Sequence, residues 1–278
     1  MKLRNHRLVN DDGSDVPFVP SPNVGGIIAP RYLIIHYTAG SSAAGTVAWF
    51  SDPASRVSAH LVIGRDGSIT QMVPCNRAAQ HAGVSRWGSL SGLNRYSIGI
   101  ELDNAGQLVQ SGGHWVSPLT RRRYPESEVT VALHKNDPPG ATPSGWHSYT
   151  AAQIEATLAA GFALVRQYEL ADVLGHDDIA PQRKRDPGPD FPMNSVRARL
   201  FGRADDRAPR YRTTSELNVR SGPGTAFSVL PGSPLPANTE VEVLAVDGAW
   251  WQVDVLGSVN GVMDIVGWCH SKYLATQA

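Results

Sequence analysis

Apolar positions in this chain fall into short runs, and their spacing predicts most of the elements. Residues 31–36 carry an unbroken apolar run, Leu33-Ile34-Ile35, that ends in His36. Such a run reads as a buried strand entering a loop. Residues 43–51 place Val47 and Phe50 at helical spacing and predict a short helix. Residues 59–63 and 68–73 flank Gly64-Arg65-Asp66-Gly67, and an Asp-Gly pair between β-prone runs signals a hairpin. Residues 97–103 alternate as a strand does, so Glu101 points opposite to Ile100 and Leu102. Residues 150–170 give the clearest helix, with Ile154, Leu158, Phe162, Val165 and Tyr168 as its apolar stripe and Ser148 or Thr150 as its cap. Gly161 inside it is a mild cost.

Elsewhere the periodicity fails. Residues 1–30 are polar and rich in Pro and Gly, and predict an extended lead-in. Residues 105–149 contain Gly112-Gly113 and Pro138-Pro139-Gly140 and read as an insertion or an active-site rim. Residues 202–211 read as a linker. Beyond them come short runs such as Val241-Glu242-Val243-Leu244 and Trp250-Trp251-Gln252-Val253, the mark of a small β-barrel or sandwich. The expected organisation is therefore lead-in 1–30, main domain 31–201, linker 202–211 and small all-β domain 212–278.

Composition narrows the functional classes. With 278 residues, 41% of them apolar, the chain has room for a medium domain and a small one. Its 25 basic and 25 acidic residues cancel, which removes the electrostatic case for a nucleic-acid partner. The run Arg121-Arg122-Arg123 reads as a solvated loop. Two distant cysteines, Cys75 and Cys269, give neither a disulfide framework nor a thiolate zinc pattern. No apolar run is long enough to span a bilayer. The basic N-terminus lacks the apolar region of a secretory signal, which leaves open retention inside, another export route, or a signal already removed.

The candidate chemistry sits in loops. Gly175-His176-Asp177-Asp178-Ile179-Ala180-Pro181-Gln182-Arg183-Lys184-Arg185-Asp186-Pro187 holds a His and an Asp with Lys184 near the Asp, and its Pro and Gly favour a loop over a helix. A loop can bring His176 and Asp186 onto one ion together with His36. Two His and one Asp leave the fourth tetrahedral position open for water, as catalytic zinc sites do. Taken singly, each of these residues is more often structural than a ligand.

Together the blocks Ile34-Ile35-His36-Tyr37-Thr38, Ser58-Ala59-His60-Leu61, Gln80-His81-Ala82-Gly83, Asn94-Arg95-Tyr96-Ser97-Ile98-Gly99-Ile100-Glu101 and Gly175-His176-Asp177-Asp178-Ile179-Ala180-Pro181 resemble the type 2 zinc-dependent N-acetylmuramoyl-L-alanine amidases, relatives of the peptidoglycan recognition proteins. The resemblance runs over roughly residues 31–192. It implies an α/β fold with a mixed central β-sheet flanked by helices, and His36, His176 and Asp186 as ligands of Zn²⁺. It also implies Glu101 as general base and Lys184 as stabiliser of the oxyanion. His81 and His60 are either substrate contacts or partners of a ligand; for His60 a structural role is at least as well supported, and His81 leans to the substrate. The family usually has an aromatic residue where this chain has Gln80, which puts one groove wall in question. Trp87 and Asn94 are candidate sugar or peptide contacts. Asp177 and Asp178 shape the loop or accept a bond from a ligand histidine.

Leu217-Asn218-Val219-Arg220-Ser221-Gly222-Pro223-Gly224, with Gly248-Ala249-Trp250-Trp251 and Gly267-Trp268-Cys269, resembles bacterial SH3 domains over about residues 212–275. That resemblance implies an SH3-like barrel that binds cell wall and tethers the enzyme to its polymer. The expected activity is hydrolysis of the bond between N-acetylmuramic acid and L-alanine of the stem peptide. The partner is peptidoglycan or its muropeptides, and the place of action the bacterial wall, with the cytoplasm left open. A binding protein without catalysis, an amidase for small anhydro-muropeptides and a Cys-His peptidase are the alternatives. The last is poorly served by Cys75, which lies between Pro74 and Asn76 with no helix start behind it.

Overall fold

A computed structural model describes residues 1–202 and 210–276; most of the expected linker lies outside the described residues. The chain divides into two compact units, Met1–Phe191 and Pro192–Ala278.

The first unit is built on a five-stranded mixed sheet. Its order is Asp172–Gly175, Tyr32–Tyr37, Ser97–Leu102, Leu61–Ile63, Ile69–Gln71. The first four strands run parallel to their neighbours and the last pairs antiparallel through the expected Gly64–Gly67 hairpin. Leu33, Ile34, Ile35, Ile98 and Ile100 are fully buried, as strands covered on both faces require. Helix α1 (Ala43–Ser51) starts at Ser42, whose side chain accepts the Gly45 amide. Helix α2 (Ala151–Tyr168) starts at Thr150 with a capping box to Gln153. Its buried face meets the expected stripe only at Leu158. Gln153, Thr157, Ala160, Gly161 and Leu164 are buried, whereas Ile154, Phe162 and Val165 are only half-buried. Small residues occupy the tightest part of this face, and the bulkier apolar ones sit on its flank.

Two stretches expected to be irregular have structure. Residues 1–30 contain a hairpin, Lys2–Arg4 with Arg7–Val9, and a strand Val24–Ile27 paired with Arg77–Ala79. Leu8, Val9 and Val16 are buried there. Residues 105–149 form a second, antiparallel five-stranded sheet. Its strands are only two to five residues long, too short for a visible alternation.

The second unit is an antiparallel five-stranded sheet, in the order Val266–His270, Trp250–Val255, Glu240–Asp247, Arg210–Thr213, Leu274–Thr276. Val219, Leu235, Val241, Val253 and Cys269 fill its core. Helix α4 (Met193–Gly202) belongs with this unit, although residues up to 201 were expected with the first. Arg199 reaches Glu242 and Asp254, and Asp264 accepts the amides of Asn194 and Ser195.

Candidate metal centre

His36, His176 and Asp186 come from three elements. His36 lies in the strand Tyr32–Tyr37, His176 opens the short helix α3 (His176–Ile179), and Asp186 follows in the loop beyond it. Helix α3 replaces the loop expected at His176. It begins because Asp178 folds back to accept the Gly175 amide at 2.7 Å. All three side chains are buried.

Their donor atoms form a near-equilateral triangle. His36 Nδ1 and His176 Nδ1 are 2.9 Å apart, and Asp186 Oδ2 lies 2.9 Å from the first and 2.8 Å from the second. The far side of each ring fixes its tautomer, assigned from the hydrogen-bond partners. His176 Nε2–H donates to the Ala82 carbonyl at 3.1 Å. His36 Nε2–H donates to His81 Nδ1 at 2.9 Å, His81 Nε2–H faces Ser97 Oγ at 3.3 Å, and Ser97 donates to the Leu93 carbonyl at 2.6 Å. Both Nδ1 lone pairs are then bare and aimed at a carboxylate oxygen. Three electron-rich atoms at this spacing repel one another unless a cation lies among them, so the donor set fits a metal ion. Burial and the neighbouring His176 push His36 down to about 4, which keeps its ring neutral and able to ligate near neutral pH. Asp186 is held well below the ordinary carboxylate range: burial opposes its charge, but its close contacts with the two imidazoles outweigh that.

Glu101 stands level with His36, its parallel-strand register partner. Its Oε2 is buried without a hydrogen-bond partner among the described residues. Burial first, then the charge of Asp186, raise its pKa well above the usual value, while Lys184 opposes them. Glu101 and Lys184 line one groove of about 480 Å³ with Thr38, Trp49, His81 and Leu119.

The remaining expected contacts divide differently. His81 touches the groove but spends both ring nitrogens on His36 and Ser97, so it orients a ligand. Gly99 makes this possible, since a Cβ there would lie 2.6 Å from the His81 ring. His60 is fully buried; its Nδ1 accepts the Gly99 amide at 2.9 Å and its Nε2–H donates to the Arg77 carbonyl at 2.8 Å. It is a structural histidine. Asn94 also serves the backbone, accepting the amides of His81 and Ala82 and donating to Gln80. Trp87 packs against the cluster of Ile34, Leu93 and Leu174. Asp177 accepts from His134 and Asp178 pairs with Lys135, so neither bonds a ligand histidine.

Sequence reading passed over Trp49, Leu119 and Arg183. Trp49 is 56% exposed on α1, and its place off the Val47–Phe50 face was the available signal. Leu119 lies in the irregular stretch and gave none. Arg183 donates to the carbonyls of Ala82 and Val84, bracing the segment that accepts from His176.

A sequence model of the N-acetylmuramoyl-L-alanine amidase family matches residues 28–189, which carry every residue of this centre. The chain belongs to that family. A second model, of the bacterial SH3 domain, matches residues 215–275. Among the chain's relatives, N-acetylmuramoyl-L-alanine amidase AmiD of Escherichia coli is 30% identical over 181 residues, covering 62% of this chain and 54% of AmiD. The 1,6-anhydro-N-acetylmuramyl-L-alanine amidase AmpD of Citrobacter freundii is 34% identical over 145 residues, covering 51% and 57%. The chain thus spans little more than half the length of these relatives. Of solved structures, AmpD superimposes with a TM-score of 0.47 at 29% identity, over 69% of this chain and 94% of AmpD.

Proposed function

We propose that this chain hydrolyses the amide between N-acetylmuramic acid and L-alanine of peptidoglycan stem peptides, with Zn²⁺ as its metal. The observation that carries the reading is the triangle of His36 Nδ1, His176 Nδ1 and Asp186 Oδ2, with the buried, unpartnered Glu101 Oε2 in the groove beside it. Zn²⁺ held by those three atoms would supply Lewis acidity toward the lactyl carbonyl and toward water. Glu101 takes a proton from the attacking water and delivers it to the leaving amine. Lys184, on the same groove, offers its ammonium to the charge that develops on the carbonyl oxygen. His81 and Ala82 hold the two imidazoles with their Nδ1 atoms bare. The SH3-like unit binds cell wall and keeps the first unit near its polymer. The place of action is the bacterial wall.

The test is mass spectrometry of products from intact sacculi and from anhydro-muropeptides, with and without a chelator. Release of stem peptides bearing a free L-alanine amine, abolished by chelation and restored by Zn²⁺, is the expected result. A chain that binds the ion and both substrates but cleaves neither would be a recognition protein, and the reading would fail.

A further inference from the structure

The segment that presents two of the three candidate ligands is poorly equipped to hold its own shape. Helix α3 is four residues long, far below the length at which a helix is stable alone. Beyond it the chain turns back on itself, and the Asp177 amide donates to the Asp186 carbonyl at 2.8 Å. Asp177, the neighbour of His176, is therefore the joint between the two ligands.

A turn of the inserted stretch grips this joint. His134-Lys135-Asn136-Asp137 closes on itself: the Asp137 amide donates to the His134 carbonyl at 2.9 Å, and the His134 amide donates to Asp137 Oδ2 at 2.8 Å. All four side chains then reach the ligand segment. His134 accepts the Asn136 amide at Nδ1, so its Nε2–H donates to Asp177 Oδ2, at 2.9 Å. Both of these side chains are buried. The Lys135 ammonium lies 2.8 Å from Asp177 Oδ1 and 2.6 Å from Asp178 Oδ1. Asp178 is the residue whose other oxygen accepts the Gly175 amide and starts α3. Asn136 Nδ2 donates to the Asp177 carbonyl at 3.0 Å. Asp137 Oδ1 accepts at 2.6 Å from Arg185, which stands between Lys184 and Asp186.

We infer that the turn at residues 134–137 is a positioning clamp for the metal centre, with His134 and Lys135 setting His176 against Asp186 through Asp177 and Asp178. This rests on the metal reading above and adds to it residues that act through the ligands rather than on the ion. Lys135 affects the ion in two ways of opposite sign. Its positive charge repels a divalent cation, which by Coulomb's law alone weakens binding. Its grip on Asp177 and Asp178 fixes the donor geometry, which strengthens binding. The Lys135 side chain is 46% exposed, so water and salt screen the repulsion. Outer partners of ligand side chains are worth about 10- to 100-fold in metal affinity, so positioning outweighs repulsion.

The test is a chelator-competition titration of Zn²⁺ with the full chain, beside the absorption spectrum of the Co²⁺ form and the Tm of the metal-free protein. Lys135→Met should lower Zn²⁺ affinity about 10- to 100-fold and shift the Co²⁺ spectrum, and Lys135→Arg should restore most of the loss. His134→Leu should act alike, and His134→Gln, whose amide nitrogen reaches the place of Nε2, should restore it. The Lys135 pair carries the test even where His134→Leu fails to fold, because that lysine is half-exposed. A Zn²⁺ affinity that rises in Lys135→Met, as charge repulsion alone predicts, would overturn the clamp. So would a lowered Tm with unchanged affinity and spectrum, the mark of bonds that only fasten the insertion. An unaltered chain that takes up no Zn²⁺ would sink the metal reading and the clamp together. A chain that binds Zn²⁺, cleaves muropeptides and keeps its affinity in both variants would lose the clamp alone.

Discussion

Replacing His60 with phenylalanine separates architecture from chemistry, because this histidine lies among the catalytic blocks in sequence but not in space. Its ring is fully buried and makes two backbone bonds, one from Gly99 N–H at 2.9 Å and one to the Arg77 carbonyl at 2.8 Å. Phenylalanine keeps a flat ring, somewhat larger than imidazole, and satisfies neither. Each orphaned backbone group costs about 1–3 kcal/mol, so the variant should lose about 2–6 kcal/mol. For a unit of this size that lowers Tm by roughly 2–4 °C per kcal/mol, or about 10 °C at the middle of the range. Acidification adds a second signature. Burial holds His60 at about 4, below the usual histidine value, so its neutral form is the one the fold favours. Its contribution is present above about pH 6.5 and is lost as pH falls towards 4, up to about 3 kcal/mol. The variant should lose that share of the wild-type acid sensitivity. Thermal melts followed by near-ultraviolet circular dichroism from pH 4 to 8, with KM measured on a muropeptide, check both parts. An unchanged Tm with a raised KM would show that His60 meets substrate and would refute the reasoning.

Four further outcomes follow from the site. Glu101→Gln should lower kcat by about 10²–10⁴-fold with little change in KM or metal content; full activity would remove Glu101 as the base. Lys184→Met should lower kcat by about 10²-fold, read in steady-state kinetics at saturating substrate. Gly99→Ala drives a Cβ to within 2.6 Å of the His81 ring, so zinc affinity should fall by about tenfold or more in a competition titration; unchanged affinity would free His81 of its orienting role. Alkylating reagents should leave activity intact, because Cys75 is fully buried and burial pushes its thiol up to about 12; inactivation matched to Cys75 labelling would revive the peptidase alternative.

The three candidate ligands were legible in sequence because each stands in its own strong local context: His36 at the end of an apolar strand, His176 and Asp186 in a Pro- and Gly-bounded segment. The three donor atoms do meet. What sequence could not supply was the division of labour among the histidines. His60 and His81 sit in similar blocks, yet one points into the core and the other at a ligand, and that difference arises only when strands pair. Asn94 and Trp87 likewise have partners that sequence could not show, the backbone of His81 and Ala82 for the first and the Ile34, Leu93 and Leu174 cluster for the second. The buried face of α2 was found only at Leu158, because large apolar residues dominate a periodicity count, whereas close approach to a sheet favours small ones. The inserted sheet escaped because its strands are too short to show a period.

That inserted stretch has a narrow neck. Where the chain leaves the central strand and where it returns, the two ends are stitched together. The His147 amide donates to the Gly106 carbonyl, Asn104 Nδ2 donates to the His147 carbonyl, and the Ala105 amide donates to the His147 ring. These bonds close the neck of the stretch, downstream of Glu101 and upstream of α2. The neck is not the only tie: His134 and Lys135, inside the stretch, bond Asp177 and Asp178, so the insertion also braces the helix that presents His176. Grafting a short turn across residues 106 and 147 would therefore take away the groove's Leu119 together with the bonds that hold helix α3, and metal affinity should change along with what the groove accepts.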